Sequence, residues 1–310
     1  MNSVRSLIHM YGLNPKRSLG QNFLTDESHL DRIIHVAQLT QDDSVLEVGP
    51  GLGGLTRRLA ERTANVVGVE LDDRLIELLR IQFANQPHVR IVHADILSVD
   101  PESLFQTSQV QTSQVQINHS KESDVECTRS AGPPSYRVVA NLPYYITSAV
   151  LRHLLEAKTP PTSAIVMVQK EVAERICAKP GKLSILGVSI QFYAEPTLLH
   201  HVPAGAFYPR PKVDSAVLNL SVYPQPRLSH VVPSLFFRIV KAGFSQKRKQ
   251  LLNSLSAGLA LPKPVATQAL EQSSIDPRRR AESLAIEEWG QLYDNLAHLL
   301  VESRPDLGSE

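Results

Sequence analysis

The stretch Val45-Leu46-Glu47-Val48-Gly49-Pro50-Gly51-Leu52-Gly53-Gly54 passes from an apolar strand through a glycine loop into residues with helical spacing. At such a junction glycines permit a tight turn and close ligand approach, and the helix that follows offers free N–H groups. Gly49, Gly51 and Gly54 satisfy the G-x-G-x-x-G pattern, and Glu70 lies 21 residues after Gly49, where a carboxylate can accept ribose hydroxyls. The flanking sequence repeats the same rhythm. Apolar runs at 44–48, 65–69, 89–92, 136–140 and 164–168 read as buried strands, while 26–38, 55–62, 72–83, 147–157 and 170–178 carry helical spacing. This alternation predicts an α/β fold with a mainly parallel sheet and helices on both faces. Residues 213–223 alternate apolar and polar positions instead, which predicts a half-buried antiparallel strand at the sheet edge. The start of the chain, with Arg5, Lys16 and Arg17, reads as irregular and basic.

A chain of 310 residues is long enough for two domains, and the pattern turns wholly helical after Pro224. The expected division is therefore 1–224 and 225–310. Lys plus Arg number 32 against 31 Asp plus Glu, with 42% hydrophobic and 20% charged residues, which excludes a disordered chain and a histone-like polycation. Any nucleic-acid surface must be local. Residues 215–270 supply one, holding Arg227, Arg238, Lys241, Lys247, Arg248, Lys249 and Lys263 without a single acid. Such a flank suits a polyanion partner, a solvated helical face being the plainer alternative. Residues 106–135 are polar, repeat TSQVQ at 107–116 and end in Gly132-Pro133-Pro134, so a disordered surface insertion is expected there. Cys127 and Cys177 have no metal-ligand spacing, so neither a disulfide framework nor a metal is expected. With no apolar stretch of about 18 residues and no signal-peptide pattern, the expected setting is the cytoplasm, away from membranes.

The acidic residues discriminate between cofactors. Besides Glu70, Asp95 follows the third strand, where a carboxylate can accept from an adenine amino group. One acid for the ribose and one for the base, with no diphosphate to cradle, favours S-adenosylmethionine over a nicotinamide dinucleotide. As the alternative, Asp95 caps the following turn. After the fourth strand comes Asn141-Leu142-Pro143-Tyr144, at the carboxyl end of the sheet where ligands bind in such folds. Methylating an exocyclic amine needs acceptors that pull its two N–H groups out of the plane of the base, because the lone pair is otherwise delocalised. Asn141 offers a side-chain carbonyl, and Leu142, extended before a proline, offers its backbone carbonyl. Tyr144 can stack on a base taken out of its helix. In the run Phe207-Tyr208-Pro209-Arg210-Pro211-Lys212, Phe207 can cover the other face of the base while Arg210 or Lys212 meets phosphate. Alternatively Phe207 and Tyr208 close the sheet edge.

With these residues in hand the chain resembles, nearly from end to end, the ribosomal RNA adenine dimethyltransferase family, and within it the bacterial small-subunit (16S) enzymes. The matching stretches are Ser18–Leu24, the glycine loop, Val69–Asp72, Asp95-Ile96, Asn141–Ile146, Phe207–Ser215 and the basic Phe244–Leu255. The resemblance implies a Rossmann-like S-adenosylmethionine-dependent methyltransferase sheet with a small all-helical C-terminal domain that docks on rRNA. It implies S-adenosyl-L-methionine contacts at Gln21, Asn22, Leu24, Gly49, Gly51, Glu70, Asp95 and Asn141. It also implies a target-amine site of Asn141, Leu142, Pro143 and Tyr144 with Phe207, and RNA contacts at Arg210, Lys212, Lys241, Lys247, Arg248 and Lys249. The implied substrate is 16S rRNA in a small ribosomal subunit or its precursor, and the expected state is a monomer. A 23S rRNA methyltransferase, a non-catalytic ribosome-assembly factor and a nicotinamide-dependent oxidoreductase are the rival readings.

Overall fold

The computed structural model describes residues 4–16, 19–106 and 135–302. Residues 107–134 of the expected insertion, together with Arg17, Ser18 and Cys127, lie outside the described residues. The chain divides into two compact units, Met1–Gln169 with Leu199–Val222, and Lys170–Leu198 with Tyr223–Glu310.

The first unit starts with α1 (Val4–Met10), β1 (Phe23–Leu24) and α2 (Glu27–Ala37). Alternation then brings β2 (Ser44–Val48), α3 (Gly54–Ala60), β3 (Asn65–Glu70), α4 (Asp73–Gln82), β4 (Val89–His93) and the short α5 (Ser103–Gln106). It continues with β5 (Arg137–Asn141), α6 (Thr147–Leu155) and β6 (Ser163–Gln169), after which α7 (Lys170–Ile176) and α8 (Ile185–Tyr193) belong to the second unit. β7 (Ala194–Val202), β8 (Phe207–Tyr208) and β9 (Ser215–Val222) follow. Helix ends are set locally. Asp26 caps α2 by accepting from Ser28 N, and Leu30, Ile33, Ile34 and Ala37 bury one stripe of that helix.

The main sheet runs in the order β4-β3-β2-β5-β6-β9-β7, with parallel pairing from β4 through β6 and antiparallel pairing of β6 with β9. Strands in its middle are buried on both faces, as Val45, Leu46, Val66, Val67, Val138 and Val166 show, which is why they read as unbroken apolar runs. Chain direction across the sheet reverses between β2 and β5. A crevice at the carboxyl ends of those two strands is the place such a topology provides for a ligand.

Two expectations change. β9 is not the edge: β7 lies outside it, so Ser215–Leu218 and Leu220 are buried, and only the far end of the strand reaches solvent. β7 itself carries Pro196, which lacks a ladder donor and suits an edge position. The amino-terminal segment is not irregular either. α1 and the turn after it bury Ile8 and Leu13 against Leu52, Leu75 and Leu78.

The second unit joins α7 and α8 to α9 (Pro233–Phe244), α10 (Leu251–Leu259), α11 (Lys263–Gln272) and α12 (Ile286–Glu302). A single cut near 224 does not describe this division, because Val188 and Phe192 of α8 share one apolar cluster with Phe236, Phe237 and Trp289. Phe192 stacks on Phe236 with centroids 4.8 Å apart, and Trp289 stacks on Phe244 at 5.7 Å. Among the described residues no helix is long and apolar enough to cross a membrane. Gly243 leaves room for the Trp289 indole, where a Cβ would overlap the ring. Gly243→Ala is therefore expected to destabilise the protein by about 1–3 kcal/mol, read as a lowered midpoint in chemical denaturation.

Candidate active site

The glycine loop leaves β2 with Gly49 and Gly51 at φ +69° and +61°, the left-handed region that side-chain-bearing residues avoid. Gly49 N donates to the Val69 carbonyl at 2.9 Å, and the Gly51 N–H points at Glu70, donating to Oε2 at 3.1 Å. The other oxygen of Glu70 accepts from Leu71 N and Asp72 N, each at 2.9 Å. Burial raises the Glu70 pKa, and the backbone donors Asp72, Gly51 and Leu71 only partly oppose it. The end of β3 thus presents an acid whose orientation is fixed by three backbone donors.

Across the crevice, Asn141 ends β5 and Leu142 N donates to the Met167 carbonyl of β6 at 3.1 Å. Pro143 then turns the chain towards α6, its carbonyl accepting from Thr147 Oγ1 at 3.0 Å and Ile146 N at 3.3 Å. A Cβ on Gly49 would stand 3.7 Å from Pro143 Cγ, so the two loops are neighbours across the reversal point. Among the described residues no hydrogen bond engages the Asn141 side chain. Tyr144 is half-buried, and its hydroxyl lies 2.6 Å from Ser215 Oγ at the start of β9. Burial raises the phenol pKa, opposed by that hydrogen bond. The ring is therefore a fixed, neutral surface.

One pocket is lined by Gln21, Asn22, Leu24, Gly49, Gly51, Glu70, Asp95, Asn141, Leu142, Pro143 and Tyr144. These are the residues expected to form the cofactor and amine sites, except Phe207. Phe207 is 4% exposed, sits in the apolar cluster with Leu30, Val202 and Ala206, and pairs with Leu24 in the β1–β8 ribbon. It packs at that flank of the sheet. Asp95 caps the following turn, its Oδ1 accepting from Leu97 N at 3.0 Å, and the residue also lines the pocket. Arg210 and Lys212 are exposed in the loop before β9, where Asp214 Oδ1 accepts from Ala204 N at 2.9 Å. Lys241 is exposed on α9, and Lys247, Arg248 and Lys249 are exposed between α9 and α10.

The profile of the ribosomal RNA adenine dimethylase family matches residues 12–298. The chain belongs to that family. Membership makes it an rRNA adenine dimethylating enzyme. Similar curated members include a ribosomal RNA small subunit methyltransferase A from Dehalococcoides mccartyi, 44% identical over 293 residues, covering 94% of this chain and 92% of the relative. One of the same name from Alkaliphilus oremlandii is 38% identical over 300 residues, covering 96% and 97%. Among solved structures, the 23S rRNA methyltransferase ErmE is 28% identical with a TM-score of 0.64, covering 89% of this chain and all of that one. A dimethyladenosine transferase from Plasmodium falciparum shares the fold at 22% identity and a TM-score of 0.70, covering 89% and 98%.

Sequence reasoning about this dimethylase missed Ser215 and Glu47. Ser215 is fully buried and contacts the Asn141–Tyr144 turn only through folding, although it stands in the Phe207–Ser215 run. Glu47 is 1% exposed in the middle of an apolar strand, lines the pocket, and accepts from Thr56 Oγ1 at 2.6 Å. Burial pushes its pKa up to about 8, Thr56 opposing and the nearby Glu70 charge adding to the rise. A carboxyl breaking an otherwise apolar strand was the available signal.

An acid whose folded pKa lies above its unfolded value keeps a proton that the unfolded chain loses, so its contribution to stability falls as pH rises from about 4.5 to about 8. Glu47→Gln keeps the shape without the titration. Relative to the parent, its denaturation free energy is expected to gain about 2–4 kcal/mol between pH 5 and pH 8. Urea titrations at the two pH values check this, and a pH-independent difference contradicts it.

Proposed function

We propose that this dimethylase transfers methyl groups from S-adenosyl-L-methionine to the N6 amines of two adjacent adenosines in small-subunit (16S) rRNA, acting as a cytoplasmic monomer on a small subunit or its precursor. The observation that carries the reading is the convergence of two carboxylates, Glu70 and Asp95, and the Asn141–Tyr144 turn in one pocket at the reversal point of the sheet.

The donor set fits this cofactor. Glu70 and Asp95 line the pocket as acids, which suits a ligand carrying a sulfonium cation and opposes one carrying a diphosphate. Glu70 and Asp95 would hold ribose hydroxyls and the adenine amine, with Gly49, Gly51, Asn22 and Leu24 shaping the walls. Bound there, S-adenosylmethionine supplies an electrophilic methyl group.

The chain's own residues supply position. The Asn141 side-chain carbonyl and the Leu142 carbonyl accept the two N–H groups of the target amine, localising its lone pair for attack. Tyr144, held by Ser215, offers its face to the flipped base. No side chain of matched pKa is needed to take the proton, since the amine becomes strongly acidic once it gains a methyl group and a positive charge. Arg210, Lys212, Lys241, Lys247, Arg248 and Lys249 are the proposed phosphate contacts, with the helical unit of 170–198 and 223–310 the proposed rRNA-binding domain.

Methyl transfer from labelled S-adenosylmethionine to under-methylated small subunits, followed by nucleoside mass spectrometry, should yield dimethyladenosine. Asn141→Ala is expected to lower the rate by about 100-fold or more. Transfer only to large-subunit rRNA would favour the 23S alternative, and an undiminished Asn141→Ala would remove that residue from the amine site.

If the exposed cations contact phosphate, replacing Lys247, Arg248 and Lys249 with Ala should weaken subunit binding. It should also flatten the salt dependence of the affinity by roughly 1 in log–log slope per lost contact. Filter binding across a salt series reads both, and an unchanged slope counts against these contacts.

A further inference from the structure

Asp72 stands two residues beyond Glu70 and is 1% exposed, yet none of the chemistry above uses it. Its carboxylate accepts from Lys16 Nζ at 3.2 Å, Gln21 Nε2 at 2.8 Å, and Arg74 Nε and Nη2 at 3.0 and 2.7 Å. Gln21 is engaged at both ends, because its Oε1 accepts from Lys16 N at 2.7 Å. Arg74 also reaches the Asn14 carbonyl, donating from Nη1 at 3.2 Å. Asn14, Lys16 and Gln21 are thus gathered by one carboxylate and its arginine. Burial works against ionisation of Asp72, but the hydrogen bonds from Arg74, Gln21 and Lys16 outweigh it and hold the carboxyl well below the usual carboxylate range. A buried charge with this many donors keeps a defined geometry, and losing a partner is costly.

The gathered residues lead directly over the pocket. Gly20, Gln21 and Asn22 all line it. On the far side, Gly20 lies against the amine-site turn, where a Cβ would stand 3.2 Å from Tyr145 Cδ1 and 3.7 Å from Tyr144 N. Phe23 meets the glycine loop, its ring 3.2 Å from where a Gly51 Cβ would be. The run therefore spans from the turn between β3 and α4, which carries Glu70, to the turn that carries Asn141, crossing the glycine loop on the way. Gln21 has both ends of its side-chain amide engaged inside the protein, at Asp72 and at Lys16 N.

We infer that Gln21 and Asp72 are positioning residues for the methyl donor: they fasten residues 14–16 and 19–22 across the pocket as a strap, and Gln21 influences cofactor affinity through Asp72 rather than by contact. The inference rests on the S-adenosylmethionine reading above.

A double-mutant cycle on the full chain tests it, with the dissociation constant for S-adenosylmethionine measured by calorimetry. Gln21→Ala and Asp72→Asn are each expected to weaken binding about tenfold, and the double variant no more than the weaker-binding single. Asn at 72 still accepts from Arg74 N as the cap of α4 but cannot serve all the side-chain donors. Lys16→Met should weaken binding, while Lys16→Arg, which restores a cationic donor, should stay within about twofold of the parent, a rescue that a general loss of stability would not give. Should Asp72→Asn fail to fold, Gln21→Ala with Lys16→Met forms the same cycle. Effects that multiply to about 100-fold would place Gln21 directly on the donor and overturn the inference, as would unchanged affinity in the single variants. A parent protein that binds no S-adenosylmethionine would overturn the cofactor reading and this inference with it, whereas tight parent binding with a multiplicative cycle overturns the strap alone.

Discussion

A carboxylate buried at the end of a parallel strand must find its solvation in the backbone, and much of the pocket is arranged by how Glu70 does so. Its three donors belong to two different segments, Gly51 of the glycine loop and Leu71-Asp72 of the turn into α4. The acid therefore serves as a fastening before any ligand arrives. It draws the loop after β2 towards the loop after β3, and the parallel register, with Val48 beside Val69, brings the two within reach. The glycines follow from that closeness. At φ +61° Gly51 aims its N–H at the carboxylate while leaving room for the Phe23 ring, and a side chain there would be strained in conformation and crowded in space.

The electrostatics of the pocket follow from crowding acids into a half-closed space. Charged carboxylates at Glu47 and Glu70 would repel one another, and the deeper of them yields first: Glu47, with Thr56 as its hydrogen-bond partner, keeps its proton up to about pH 8. Glu70 is spared part of that cost by its backbone donors.

How much of this could be read from residues alone depends on whether the relevant contact was local. The five parallel strands were legible because burial on both faces leaves unbroken apolar runs, and α2 because its apolar stripe follows an Asp cap. β7 was not: Ala194–Val202 carries Glu195, Pro196, His200 and His201, the mixture an edge strand tolerates and a loop also shows. Missing it moved β9 to the edge and put the domain cut after it, although α7 and α8 pack in the helical unit. In the pocket, Glu70, Asp95 and the Asn141–Tyr144 turn were legible because each ends a strand at the same side of the sheet. The burial of Phe207 was not legible, because aromatic character does not say which way a two-residue strand faces. Arg74 is near Asp72 in sequence, but the partners Gln21 and Lys16 are 51 and 56 residues away, a distance over which no spacing rule operates.

The antiparallel β9 has a chemical consequence that a wholly parallel sheet would not offer. Running against β6, it starts where β6 ends, so Ser215 pairs with Gln169 at the carboxyl edge of the sheet, beside the turn that leaves β5. A parallel strand in that position would bring its carboxyl end there and continue away from the sheet. Because β9 arrives instead, its first residue is fully buried and rigid, and its hydroxyl can hold Tyr144. Pro143 limits the backbone of the same turn, and Leu142 N is tied to Met167. The groups proposed to receive the adenine are thus braced by β5, β6 and β9, none of which is a loop. Rigidity of this kind matters most where positioning supplies the rate, since an amine held a fraction of an ångström out of place loses the geometry its lone pair requires.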